Sequence, residues 1–260
     1  MHRLTGAVRA HRFALTVAGA WLVLLWTLVA AGNMVYGEPF SLAAWAGSWD
    51  GAWYKSIVEQ GYYTGVIDRQ VNVAFFPLYP TLVWLVSKIT LLPTVWAGIA
   101  VSSLSFAAAL VVLWRFVHKF FDRRIARWTI LLLAFNPWSL YFGMMYTESL
   151  FLLLAASTFW FIHKRQWWLA ALMAGFATAT RSVGIALAIS VVVGWLWHCL
   201  GQARKSGVTS GLHIIPSGTN ENSRGTAAFG AAPKNLFCIS EKFLGADRLT
   251  GPLPLGAYHG

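Results

Sequence analysis

The sequence predicts an all-α, polytopic transmembrane helical bundle of about seven apolar segments, one of them a candidate for a re-entrant course. Three observations predict it. Hydrophobic residues make up 57% of the 260 residues and charged residues 11%, with a mean hydropathy of +0.57, a balance that a water-soluble domain can hardly accommodate. All 15 tryptophans precede residue 200, many of them near segment ends, where indole rings favour the boundary between lipid and water. Long uncharged runs alternate with short basic loops, so the net charge of +11 marks cytoplasmic loops and argues against a nucleic-acid partner.

The first element, 13–37, carries no charged residue and follows Arg3, Arg9 and Arg12. It is long enough for a full span of roughly 20 residues with its N-terminus in the cytoplasm. It also exceeds a signal-peptide core, so it is expected to be an anchor after a basic N-terminus of residues 1–12. A polar loop, 38–70, follows on the expected outer face. Six further apolar segments are expected at 73–87, 92–114, 128–146, 149–162, 167–180 and 183–200. Strict alternation would carry Arg115, Lys119, Arg123, Arg124 and Arg127 to the outer face, against the positive-inside tendency. One segment is therefore expected not to cross, and the stretch opened by FFPLYP, 75–80, is the candidate. Two prolines three residues apart suit a broken helix start where protein covers the backbone. The alternative is an external basic run that handles phosphate.

The membrane module is thus expected over 13–200. Residues 201–260 contain no tryptophan and no long apolar run, and read as a disordered tail or as text foreign to the bundle, as in a truncated or frame-shifted chain. Cys199 and Cys238 make neither a disulfide framework nor a metal site by number or spacing. No Walker A, GxGxxG, HExxH or paired-cysteine motif occurs, so nucleoside triphosphates, tightly held zinc and other cofactors are not expected.

Candidate chemistry is concentrated in four places. SWDGAWYKSIVEQGY, 48–62, sets Asp50 among Trp49, Trp53 and Tyr54 in the first polar loop. A carboxylate partly desolvated between indoles at a membrane surface is a better proton acceptor. The same residue could equally cap a short interfacial helix over 51–59. Tyr146-Thr147-Glu148-Ser149 places an acid where one apolar segment ends and the next begins, with Asn136-Pro137 loosening the helix before it; a capped turn between antiparallel helices is the structural alternative. Arg181 in ATATRSVG is the only Lys or Arg between 166 and 203. Unpaired at bilayer depth it would cost roughly 2.5 kcal/mol or more, so it pairs with Glu148 or Asp50, holds an anionic group such as a lipid phosphate, or snorkels to the interface. Last, Tyr62 and Tyr63 with FFPLYP, including Pro77 and Tyr79, frame the loop with aromatic faces that suit sugar rings.

Taken in order, WDGAWY, IVEQGY, FFPLYP, NPWSLYFGMMYTESLF and ATATRSVG resemble the membrane mannosyltransferases related to the second mannosyltransferase of glycosylphosphatidylinositol assembly, including their bacterial relatives. The resemblance covers about 13–200. It implies a GT-C-like helical bundle that works on the outer face of a membrane, here expected to be a bacterial plasma membrane, with the lipid bilayer as its setting. It further implies a polyprenyl- or dolichyl-phosphate sugar donor, usually mannose, and a glycan or glycolipid acceptor. Trp49 and Asp50 match the family's tryptophan–aspartate pair, with Asp50 its catalytic aspartate. Pro77 and Pro80 match its proline-bearing helix start, Glu148 its YTES acid and Arg181 its arginine before a glycine-containing helix. Glu148 is expected to join Asp50 as a catalytic residue, orienting Arg181 or a sugar hydroxyl, and Trp49, Trp53, Tyr54, Pro77, Tyr79, Tyr146 and Arg181 are the expected substrate contacts. Family members generally continue with further membrane helices where the tail begins here. Arg181, with Lys55 or Arg69, would offset the leaving phosphate charge. The rival class is a non-enzymatic membrane protein, either a transporter of lipids or small molecules or a scaffold subunit of a glycosylation complex.

Overall fold

The computed structural model describes residues 2–36, 41–65 and 70–210, and among them every regular element is helical. Helix α1 (His2–Tyr36) is followed by short α2 (Leu42–Ala46) and by α3 (Asp50–Gln60). Then come α4 (Leu78–Thr90), α5 (Thr94–Phe120), α6 (Arg123–Ala134), α7 (Glu148–His163), α8 (Trp167–Thr178) and α9 (Ile185–Ser210). Three 3₁₀ turns lie at Asn72–Ala74, Pro137–Phe142 and Ser182–Gly184. Arg69, Cys238 and the expected tail from 211 onward lie outside the described residues, while α9 itself runs ten residues past the expected boundary at 200.

Three stretches are long and apolar enough to cross a membrane: Arg12–Gly32, Thr94–Phe120 and Ser182–Gln202. A fourth is possible in length if Pro137–Gly143 and Glu148–His163, bent by 95° at their junction, count as one broken span. The other apolar segments make shorter helices. The 13 residues of α4 rise about 20 Å, well short of a hydrocarbon core of roughly 30 Å. The fold-back is visible in its contacts: the Tyr79 hydroxyl donates to the Gly98 carbonyl at 3.1 Å and lies 2.8 Å from Ser102 Oγ, so α4 runs antiparallel along the N-terminal half of α5.

The expected segment 128–146 is broken by its own sequence. Pro137 disfavours helical backbone at the preceding residue, and Asn136 is extended (φ −83°, ψ 157°) with its side chain accepting from the Trp138 N–H. Helix α6 therefore ends at Ala134 and the chain re-enters as a 3₁₀ turn. At the other end Asp122 caps α6 by accepting from the Ile125 N–H at 2.8 Å.

Helix α5 is central. One apolar cluster joins it to α1 and α6 through Trp21, Leu25, Phe106, Leu110, Trp114 and Ile130. The other joins it to α3, α4, α7, α8 and α9 through Tyr54, Tyr79, Val101, Leu150, Ala174 and Val191. Ser102 Oγ donates to the Tyr146 carbonyl at 3.1 Å, while Phe116 meets Phe159 and Phe120 meets His163, so α5 and α7 run parallel. From Ser102 to Phe120 the helix rises about 27 Å. The start of α7 lies at one end of that distance. The basic run after Arg115 lies at the other, beside Phe13 at the start of the Arg12–Gly32 span of α1.

Candidate active site

The loop before α3 is held against the loop before α7 by backbone. The Met145 N–H donates to the Ala46 carbonyl at 3.0 Å. A Cβ at Gly51 would stand 2.8 Å from that same carbonyl oxygen and 3.5 Å from the Met145 carbonyl oxygen, so glycine permits the approach. The Tyr146 hydroxyl reaches the Ser48 carbonyl at 3.5 Å, across 98 residues of sequence. Trp49 sits at φ 49°, ψ −121°, a left-handed backbone uncommon for a bulky residue, of the kind that tight surroundings hold at functional sites. That turn places Asp50 at the first position of α3.

These contacts enclose an open cavity of about 350 Å³ lined by Trp49, Asp50, Tyr141, Tyr146 and Glu148. Asp50 is exposed, and Trp49 is 66% exposed. Trp53 is turned to Phe75, stacked at 6.2 Å, rather than to the cavity. The expected flanking of Asp50 by two indoles is thus absent among the described residues: Trp49 lines the cavity with it and Trp53 does not.

Glu148 opens α7 and accepts from Arg181 Nη1 through Oε1 at 2.6 Å. Of the partners expected for Arg181, Glu148 is the one the structure supplies. The arginine and glutamate side chains remain 42% and 30% exposed, and Glu148 Oε2 is buried without a hydrogen-bond partner among the described residues. Arg181 reaches its place because α8 ends beside the start of α4: the Leu78 N–H donates to the Ala179 carbonyl at 3.0 Å. Gly184 lies against Ala177 and Thr178 so closely that a Cβ would fall on their backbone. The sequence motifs FFPLYP and ATATRSVG therefore meet, although the cavity itself touches neither.

Tyr54 is the buried post at the centre of this group. It packs edge-on against Phe75 at 5.0 Å and Tyr79 at 5.1 Å. It lies within electrostatic reach of Asp50, Glu148 and Arg181. Burial pushes its hydroxyl up to about 12, opposed in part by a hydrogen bond with Thr147. Burial likewise pushes the Tyr146 hydroxyl up to about 12, with a backbone hydrogen bond at Asp50 opposing and the Asp50 and Glu148 charges adding to the rise.

The expected site residues divide accordingly. Trp49, Asp50, Tyr146 and Glu148 line the cavity, with Arg181 behind Glu148. Tyr54 and Tyr79 are core residues, 5% and 0% exposed, and Tyr79 spends its hydroxyl on Gly98 and Ser102. Pro77 precedes α4 at the surface, and Lys55 is exposed on α3 outside the cavity lining. Sequence reasoning missed Tyr141. Its signal is the three-residue spacing from Trp138 after Asn136-Pro137, because side chains at i and i+3 eclipse in a 3₁₀ turn; the two rings stack at 6.1 Å and 11°.

No curated protein and no solved structure matches this chain. The family model described as dolichyl-phosphate-mannose-protein mannosyltransferase matches residues 75–214, which include Glu148 and Arg181 but not Asp50. That match spans more than half of the 260 residues, and the chain belongs to the dolichyl-phosphate-mannose-protein mannosyltransferase family, membrane glycosyltransferases of GT-C type.

Proposed function

We propose that the protein transfers a mannosyl residue from a polyprenyl- or dolichyl-phosphate donor to a hydroxyl of a lipid-linked or glycan acceptor on the extracytoplasmic face of a bacterial plasma membrane. The observation that carries this reading is the cavity that brings Asp50 and Glu148 together between Trp49, Tyr141 and Tyr146, two acids 98 residues apart in sequence. An exposed carboxylate beside aromatic faces suits a proton acceptor next to a sugar ring. In the proposed step Asp50 takes the acceptor hydroxyl proton as that oxygen bonds to the anomeric carbon. The bond from that carbon to the phosphate oxygen breaks on the opposite face, so configuration inverts and lipid phosphate departs with the bonding pair.

Glu148 orients Arg181 through one Nη1 contact. A guanidinium has five donors, so the 42%-exposed remainder of the arginine is left to offset phosphate charge. Trp49, Tyr141 and Tyr146 supply the walls for sugar, with Trp138 stacked behind Tyr141. Within this reading the narrower kinship is to the mannosyltransferases of glycosylphosphatidylinositol assembly, supported by the WDGAWY and YTES motifs.

The test is transfer of radiolabelled mannose from polyprenyl-phosphate mannose in membranes carrying the full chain, with label followed into lipid-extractable and protein fractions. Asp50→Asn is expected to lower transfer by about 10²–10⁴-fold, the usual contribution of a general base. It should lower stability by no more than about 0.3–1 kcal/mol, the loss of an acid from the first turn of α3, since the carboxylate is exposed and has no side-chain hydrogen bond among the described residues. Undiminished transfer by the Asn protein would remove Asp50 as the base.

A further inference from the structure

A second cleft, of about 470 Å³, opens at the far end of α5 and is lined by Phe13 of α1 and by Arg123, Arg124, Arg127, Trp128 and Leu131 of α6. The Arg127 guanidinium lies over the Phe13 ring at 5.4 Å. Phe13 in turn tilts against buried Trp114 at 5.4 Å, so the floor of the cleft is continuous with the α1–α5–α6 core. All three arginines are exposed.

Their charge exceeds what stands beside it. Among the described residues none of the three forms an ion pair, and the adjacent carboxylate, Asp122, which caps α6, offsets at most one of the three charges. The position also works against the helix. Arg123 and Arg124 open α6, where the positive end of the helix dipole disfavours cations and favours anions. Three guanidinium groups and a helix N-terminus thus direct positive potential into a pocket whose remaining walls are aromatic and aliphatic.

We propose that this cleft binds the phosphate of an anionic phospholipid. The guanidinium forks match phosphate oxygens, and Phe13, Trp128 and Leu131 receive the glycerol and the first methylenes of the acyl chains. A lipid rather than a free anion is indicated by placement. The cleft sits at the start of the Arg12–Gly32 span, and Phe120, Phe121 and Trp128 are 54%, 57% and 55% exposed at the adjoining chain reversal, an aromatic collar of the kind found at bilayer boundaries. About 27 Å of α5 separates this end from Ser102, beside the transfer cavity, so the site is distinct from the one that handles the donor.

Native mass spectrometry of the full chain in detergent tests the proposal, with phosphatidylglycerol, phosphatidylcholine of the same acyl chains and inorganic phosphate as probes. Phosphatidylglycerol is expected to be retained roughly tenfold or more over phosphatidylcholine. Three arginines at roughly fivefold each more than account for that preference, so the R123Q/R124Q/R127Q protein should lose it. Trp128→Ala, at an exposed position, should weaken phosphatidylglycerol retention, and the R123K/R124K/R127K protein should keep most of the anionic preference. Equal retention of both lipids by the native chain, or a preference untouched by the glutamine substitutions, overturns the assignment. Displacement of phosphatidylglycerol by equimolar inorganic phosphate overturns the lipid as occupant.

Discussion

Replacing Arg181 by methionine keeps a long apolar stem and removes the charge that holds Glu148. The pair is intermediate in exposure, at 42% and 30%. Exposed ion pairs are worth about 0–1 kcal/mol, whereas breaking a buried one costs about 3–5 kcal/mol. Half-exposure, with Glu148 Oε2 already buried and unpartnered, places the loss at about 1–2 kcal/mol, or a fall in Tm of several degrees at about 2–4 °C per kcal/mol. If Arg181 also offsets charge on the departing phosphate, transfer falls about 10²–10³-fold, far beyond what the stability loss explains. The assay is a double-mutant cycle of Arg181→Met and Glu148→Gln, with melting in detergent and mannose transfer per folded molecule read on each protein. A coupling of about 1–2 kcal/mol in stability is expected. Arg181→Lys should restore part of the stability but less of the transfer, because an ammonium lacks the fork that can hold Glu148 and phosphate together. A Tm unmoved by Arg181→Met together with undiminished transfer refutes both roles. Lowered Tm with native transfer per folded molecule leaves Arg181 structural alone.

Three further outcomes follow from the packing. The Tyr54 hydroxyl, raised from 10.0 to about 12, keeps its proton in the folded chain after the unfolded chain has lost it. Its contribution is whole below pH 10 and disappears as pH climbs toward 12, a loss of up to a few kcal/mol; denaturant titrations across that range should show Tyr54→Phe losing less stability than the native chain, and equal losses would contradict the burial. Gly184→Ala drives a methyl into the backbone of Ala177 and Thr178, so Tm should drop by an amount equivalent to about 2 kcal/mol or more and transfer should fall with it as Arg181 is displaced; a native melting curve would show that the turn has room. Tyr79→Phe removes a hydroxyl bonded at Gly98 and Ser102, costing about 1 kcal/mol, and transfer per folded molecule should be unchanged because Tyr79 does not line the cavity.

Much of the local structure was legible in the sequence for local reasons. The short helix expected over 51–59 is α3, Asp50–Gln60, because Gly51, Tyr54 and Ile57 fall on one face at helical spacing and are buried together. The proline-bearing start at FFPLYP does open a short helix. Asn136-Pro137 was read as loosening a helix; it ends one, since the proline ring clashes with the backbone of the residue just before it. The apolar run 128–146 hid that break because hydropathy is blind to backbone geometry. Tyr141 went unseen for a related reason: its partnership with Trp138 exists only in the tighter repeat of a 3₁₀ turn.

Composition, uncharged run lengths and proline positions by themselves determined an all-helical membrane chain and flagged Asn136-Pro137 and FFPLYP as irregular points, because these depend on transfer free energy and on sterics between sequence neighbours. Which residues share a site was decided only by tertiary structure. Arg181 selects Glu148, 33 residues away, because α8 ends where α4 begins. The aromatic motif around Tyr79 is consumed by the core because α4 folds back on α5. The basic run after Arg115 and the Asp50 cavity lie at opposite ends of α5, since α4 is too short to change the side of the chain. Each of these is set by long-range packing around one central helix, and no window of sequence contains both partners.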